Sequence, residues 1–348
     1  MMPEEWPIAA LAADPDAPAR AAGGGRLATV RADFFLDPAG RLTEQERALM
    51  TAMLHCLVGD IADEMRAALP VGWAAANDED NARLTQALTR SRLLDDAELM
   101  ALLLRRADEE RIATAVRARS GRRDARVVQG LVSHQNSAVS AAAMALILAR
   151  GRRRDRFGQC LVSFDDLAPA TAERLVYAIA AFLRRDLAGT RSEGETDFEL
   201  TRAAARLLAS REGERSLEAL MAELVRLLDE SGALTDDLML AAAQEGEAAF
   251  LATTLGWRAG IPADLAMDEL QSGEPKRVTA LLRMTGLGRQ PCAGLLASLG
   301  DLLGLNDPGE AMSVFDRMTD EQVSAARVWL STAQAYRQAL RLLGGHHG

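Results

Sequence analysis

Apolar positions along this chain recur at three- and four-residue spacing from residue 50 almost to the C-terminus, the pattern of helices with one buried face each. Met50, Met53, Leu54, Leu57, Ile61, Met65 and Ala68 form the first stripe. Thr43-Glu44-Gln45-Glu46 in front of it is a capping box, whose hydroxyl and carboxylate satisfy orphan amides at a helix start. Pro70 and Gly72 end it, and Asp78-Glu79-Asp80 predicts a solvated turn within an irregular stretch over 70–92. Asp95-Asp96-Ala97-Glu98 is the next start signal. Leu99, Met100, Leu103 and Leu104 then open a helical hairpin with residues 109–119 as its second arm. After Gly121 a second hairpin is expected, capped by Asp124 and running through Val127, Val128 and Leu131 to a turn at His134-Gln135-Asn136. Residues 137–149 are apolar on nearly every side, which predicts a central helix. A third start at Asp155, a turn at Asp165-Asp166 and a first-turn Pro169 complete this half.

The starts at Asp95, Asp124 and Asp155 are 29 and 31 residues apart, somewhat below the roughly 34 to 47 of familiar helical-hairpin repeats. Hairpins of this kind bury their open faces by stacking, so the expected fold is all-α: a HEAT-like array of stacked helical hairpins followed by a second helical module. Residues 188–196, with Gly189, Ser192 and Gly194, read as the connection between the two. Beyond it a stripe over 214–229 stops at Gly232, and short helices open at Thr235, Glu247, Pro262, Pro275 and Gln290. Asp307-Pro308 opens another. A capping box at Thr319-Asp320-Glu321-Gln322 opens a last helix with Val323, Ala326, Leu330, Tyr336, Leu340 and Leu343 on one face. Residues 1–40, rich in Ala, Pro and Gly, show no sustained period and read as a flexible arm. The expected domains are therefore 41–187 and 197–344.

Composition supports helix over strand, because aromatics are 4% and alanine, leucine and arginine dominate. Lys276 is the sole lysine among forty basic residues, a bias that fits GC-rich coding. Cys56, Cys160 and Cys292 stand far apart with no CxxC pair, which suggests core thiols in a reducing compartment, and the cytoplasm is the expected location. No apolar run reaches membrane-span length.

Several segments together resemble the bacterial domain of unknown function 2336 family, whose members are expected to be HEAT-like helical proteins. The resemblance is carried by residues 42–66, 111–119, 166–184 and 246–287, the last with Phe250, Gly260-Ile261-Pro262, Leu270, Leu281 and Gly286-Leu287. These are helix-packing patterns. They imply a fold and lend no catalytic residue. Two departures stand out: Ala168 lies between Leu167 and Pro169, where the family often has proline directly after Asp-Leu, and Tyr177-Ala178 replaces a tryptophan pair.

Charge is the strongest functional hint. Residues 105–156 hold thirteen arginines and five acids, a net of +8 in a chain of net −10, so the remainder carries −18. Arginines inside helices have ordinary roles on solvated faces and at dipole ends. Arg122-Arg123 and Arg152-Arg153-Arg154 differ, since each cluster falls in a turn, and stacked hairpins would bring both to one edge. Such a ridge suits an acidic protein segment, a phosphate-bearing ligand or a nucleic-acid backbone. The expected function is a non-enzymatic scaffold or regulatory protein that binds a protein partner, with Arg122, Arg123, Arg152, Arg153 and Arg154 as anchors; the alternative is nucleic-acid-backbone binding. A homodimer through the 323–343 stripe or another terminal helix is a further expectation. No HExxH, GxSxG or Walker loop occurs, and no catalytic residue, cofactor or metal is expected. His55 and Cys56 point about 100° apart on a helix and read as core packing. His134 reads as a turn residue. The paired acids at Asp95, Asp165 and Asp236 read as helix caps.

Overall fold

The computed structural model describes residues 42–73, 78–121, 126–187 and 192–343. The arm expected over 1–40, the cap at Asp124 and residues 188–191 of the expected connection lie outside them. Among the described residues the chain is all-α, with sixteen α-helices and one isolated antiparallel bridge between Arg154 and Cys160.

The first half holds α1 (Glu44–Ala67), α2 (Asp78–Arg90), α3 (Ala97–Ser120), α4 (Val127–Gly130), α5 (Ser137–Arg152), α6 (Pro169–Asp186) and α7 (Glu193–Ser210). The second holds α8 (Leu217–Glu230), α9 (Asp236–Gln244), α10 (Ala248–Ala259), α11 (Ala263–Leu270), α12 (Pro275–Met284), α13 (Arg289–Leu299), α14 (Pro308–Arg317), α15 (Asp320–Ser331) and α16 (Gln334–Leu342). Side-chain caps start seven of them. Asp96 accepts the Leu99 N–H at 2.9 Å, Asn136 accepts the Ala138 N–H at 2.9 Å, and Ser192, Ser216, Thr235, Asp307 and Thr319 cap α7, α8, α9, α14 and α15.

Several expectations change. Asp78-Glu79-Asp80 forms the first turn of α2, and Leu84 and Leu88 bury its inner face. α3 runs unbroken for 24 residues, so no hairpin divides 99–104 from 109–119. Its middle is held by burial of Leu103, Arg106 and Ala107. α5 buries Val139, Ala143, Leu146 and Ala149 but leaves Met144 and Leu148 exposed, so it packs on one side instead of occupying the centre. Asp155 starts no helix: its carboxylate accepts the N–H groups of Phe157 and Gln159, both at 2.8 Å, and turns the chain into a short hairpin over 153–161. The three-start repeat is therefore absent at Asp155. The last expected helix breaks at Thr332 into α15 and α16.

The described residues from Gln45 onward form one compact unit. A continuous apolar core runs from Ile112 and Val116 of α3 through α5 and α8 to Leu330 of α15. The buried residues of α1, α2, α6 and α7 lie outside that cluster. Contacts cross the expected connection, since α6 packs on α7 and α5 packs on α8. One glycine fixes a close approach: at Gly246, φ is +72° and an added Cβ would lie 3.0 Å from Val116 Cβ and 3.1 Å from Ala113 Cα. The turn at 245–247 can therefore press directly against α3.

Candidate functional site

Among the described residues, seven arginines of the 105–156 stretch pair with carboxylates, and five of those reach acids outside it. Arg106, 1% exposed, sends Nη1 to Glu109 at 3.0 Å and Nη2 to Glu218 at 2.7 Å. Burial works against this cation, yet Glu109 and Glu218 raise its pKa above the ordinary arginine value. Burial also raises the Glu109 carboxyl, with Arg106 opposing and Glu218 adding to the rise. Arg111 pairs with Glu46 at 3.0 Å and with Asp108 at 3.2 Å. Arg119 forks onto Asp301 at 2.9 and 2.5 Å, and Arg150 forks onto Glu247 at 3.1 and 2.7 Å. Arg117 and Arg154 share Glu110, each at 2.8 Å. The acidic remainder of the chain thus supplies many of the counter-charges for its basic stretch.

The expected anchors divide. Arg122 and Arg123 lie outside the described residues. Arg153 is 6% exposed and clamps Asp166 through Nε at 2.8 Å and Nη2 at 2.7 Å, while also donating to the carbonyls of Ala149 and Arg215. Burial alone would raise the Asp166 pKa, but the Arg153 and Arg106 guanidiniums bring it below the ordinary aspartate value. Arg153 is thereby committed to the interior. Arg154 is about two-fifths exposed and donates to Glu110 and to the Gly158 carbonyl. Arg152 ends α5 in solvent and makes no ion pair among the described residues.

Arg152 stands at a cavity of about 470 Å³ that also carries Asp60, Glu64 and Asp165. Burial raises the Asp60 carboxyl, helped by Asp63, and burial raises Glu64, helped by Asp60 and Asp165. This side of the edge is acidic. On the hairpin itself, Arg156 lies 4.8 Å over the Phe157 ring, and Phe157 is 74% exposed. The turn clusters on which the basic edge was built did not include this pair. An aromatic directly after Asp-Arg in a short turn was the available signal.

The other candidates resolve simply. His55 and Cys56 are exposed, not core, because α1 buries Met53 and Leu57 instead. His134 serves its turn, its Nδ1 accepting the Asn136 N–H at 3.1 Å. Asp96 caps α3; Asp236 instead pairs with Arg258 at 2.5 Å while Thr235 provides the cap. Burial pushes the Cys160 thiol up to about 11 and Cys292 up to about 12. Among the described residues no group of three His, Cys, Asp or Glu side chains could hold a metal, and no helix is long and apolar enough to cross a membrane.

Residues 85–328 match the model of a family described as uncharacterised proteins conserved in bacteria, domain of unknown function 2336. The chain belongs to this family. The match begins after α1, so residues 42–66, which carried part of the resemblance, lie outside it. It takes in the whole of α3, the hairpin over 153–161 and the core up to α15. No curated protein and no solved structure matches the chain.

Proposed function

We propose that this family member is a non-enzymatic helical protein, a scaffold or regulator that binds a protein partner with electrostatic help from its basic edge. The observation that carries the reading is the end of α5. Arg153 is fixed inside the fold while its neighbours Arg152 and Arg154 keep access to solvent on a backbone that the Arg153–Asp166 clamp holds in place. Guanidiniums carried on a fixed backbone lose less freedom on meeting a carboxylate, which favours them as anchors. Arg122 and Arg123 join the reading on their sequence alone. The cytoplasm is the proposed compartment, supported by cysteines that remain free.

Affinity capture from native cytoplasm at low and high salt tests this reading. A variant with Arg122, Arg123, Arg152 and Arg154 reversed to glutamate is expected to lose its low-salt partners while keeping its helical circular dichroism. Retention of every partner sinks the basic edge. Backbone binding to nucleic acid draws less support, because so many guanidiniums of the stretch are already paired; a salt-dependent shift of a labelled duplex would bring it forward. Self-association is a further part of the proposal, supported by the exposure of Val328, Trp329 and Tyr336 on α15 and α16, and light scattering checks it.

A further inference from the structure

An ordered loop presents an aromatic ring to solvent beside a groove. The hairpin over 153–161 is closed by the Leu161 N–H on the Arg153 carbonyl at 2.8 Å and the Asp155 N–H on the Gln159 carbonyl at 3.0 Å. The Asp155 carboxylate holds the Phe157 and Gln159 amides, and Arg154 ties the Gly158 carbonyl to Glu110 of α3. Phe157 is thus displayed by a braced backbone. Beside it lies a groove of about 360 Å³ between the hairpin, the first turns of α1 and the side of α3, with Ala48, Leu49, Ala52, Phe157 and Cys160 giving most of its apolar wall.

The charge around this groove is committed in one sense only. Glu110 is shared by Arg117 and Arg154, and the Asp155 carboxylate is taken by two backbone amides. Arg156, exposed and stacked on Phe157, makes no ion pair among the described residues. The free charge at the lip is positive, next to an apolar floor. We propose that this groove takes an apolar side chain from an acidic peptide segment of a protein partner, with a carboxylate of that segment paired to Arg156. The proposal rests on the protein-binding reading above and names the partner's chemistry and the place where it seats. A rigid aromatic and an arginine are the side chains that carry most of the energy at such contacts, and bracing the loop in advance lowers the ordering cost. A nucleic-acid strand fits less well, since one uncommitted guanidinium beside an apolar groove offers no continuous track for phosphates.

The test is an anisotropy titration of the full chain with a fluorescein-labelled octapeptide, three acidic residues on each side of a central Phe-Leu pair. Controls carry lysines in place of the acids, or Gly-Ser in place of Phe-Leu, and a labelled oligo-dT of ten nucleotides is the fourth probe. The acidic apolar peptide is expected to bind at least tenfold more tightly than either control, and to weaken with salt. Phe157→Ser, Arg156→Glu and Ala48→Gln, which alter exposed positions, are each expected to weaken it fivefold or more with unchanged Tm. Equal binding by these variants overturns the proposal, as does no binding at millimolar peptide. Preference for the lysine peptide would overturn it in favour of the acidic cavity beside Arg152, and Phe157-dependent binding of oligo-dT alone would overturn it in favour of nucleic acid. If the octapeptide fails while capture remains charge-dependent, this inference falls and the broader reading stands; if the octapeptide binds while capture ignores the charge reversal, the groove stands as the place of protein binding and the anchors at Arg122, Arg123, Arg152 and Arg154 fall.

Discussion

The Arg153 guanidinium and the Asp166 carboxylate meet side-on, with Nε 2.8 Å from Oδ2 and Nη2 2.7 Å from Oδ1, and neither side chain is more than 7% exposed. Asp166 also accepts the N–H groups of Ser163 and Leu217, so one carboxylate joins the end of α5, the 3-10 turn before α6 and the start of α8. Removing one partner leaves the other charged and buried. Arg153→Ala is expected to cost about 3–5 kcal/mol. Arg152→Ala, one residue away in solvent, is expected to stay within about 0.5 kcal/mol. Urea denaturation of the two variants checks the contrast, and equal midpoints would show that the clamp contributes nothing special.

The acid response should have two opposing parts. Asp166 has a lowered pKa, so its stabilisation is present above the unfolded carboxyl value of about 4 and is lost as pH falls through the lower folded value. Glu109 has a raised pKa, so the folded state holds its proton more tightly than the unfolded one. Between the unfolded glutamate value of about 4.3 and the raised folded value, stability therefore declines as pH rises. Asp60 and Glu64 contribute in the same direction. Glu109→Gln is expected to flatten this decline while lowering stability overall, because Arg106 loses a counter-charge. Urea midpoints from pH 4 to pH 7 measure both, and an unchanged slope would mean that Glu109 titrates normally.

Gly246 combines a positive φ with a close approach to α3, so a methyl group there should be costly. Alanine there must adopt φ near +72° and push its Cβ to 3.0 Å from Val116 Cβ. Strain and overlap together are expected to cost more than about 1 kcal/mol. The turn would retreat from α3 and carry Glu247 away from Arg150. A double-mutant cycle with Arg150→Ala checks this: the two changes should be less than additive, and full additivity would uncouple the turn from the ion pair.

Helix starts were the most legible feature. Asp96, Thr235, Asp307 and the capping box at Thr319 act where the sequence puts them, because a cap is a contact between residues two or three apart. The same local logic failed at Asp155, where Gly158 with φ +81° lets the chain turn back and the carboxylate serves a hairpin instead. Asp78-Glu79-Asp80 shows the converse, three acids read as a turn that open α2, since the burial of Leu84 and Leu88 decides whether a helix there is worth forming.

The sequence by itself determined the all-α class, most helix starts in the second half and the family, all of which depend on near neighbours and on the period of apolar residues. It also fixed the size of the charge contrast between 105–156 and the rest. Only the tertiary structure decided what that contrast does, because Arg106 and Glu218 are 112 residues apart, and Arg119 and Asp301 are 182 apart. Coulomb attraction acts through space, and once the core brings those helices together the carboxylates of the same chain are close enough to claim the arginines first. Among the described residues, Arg152 and the Arg156 stacked on Phe157 are arginines that the fold left without an acid.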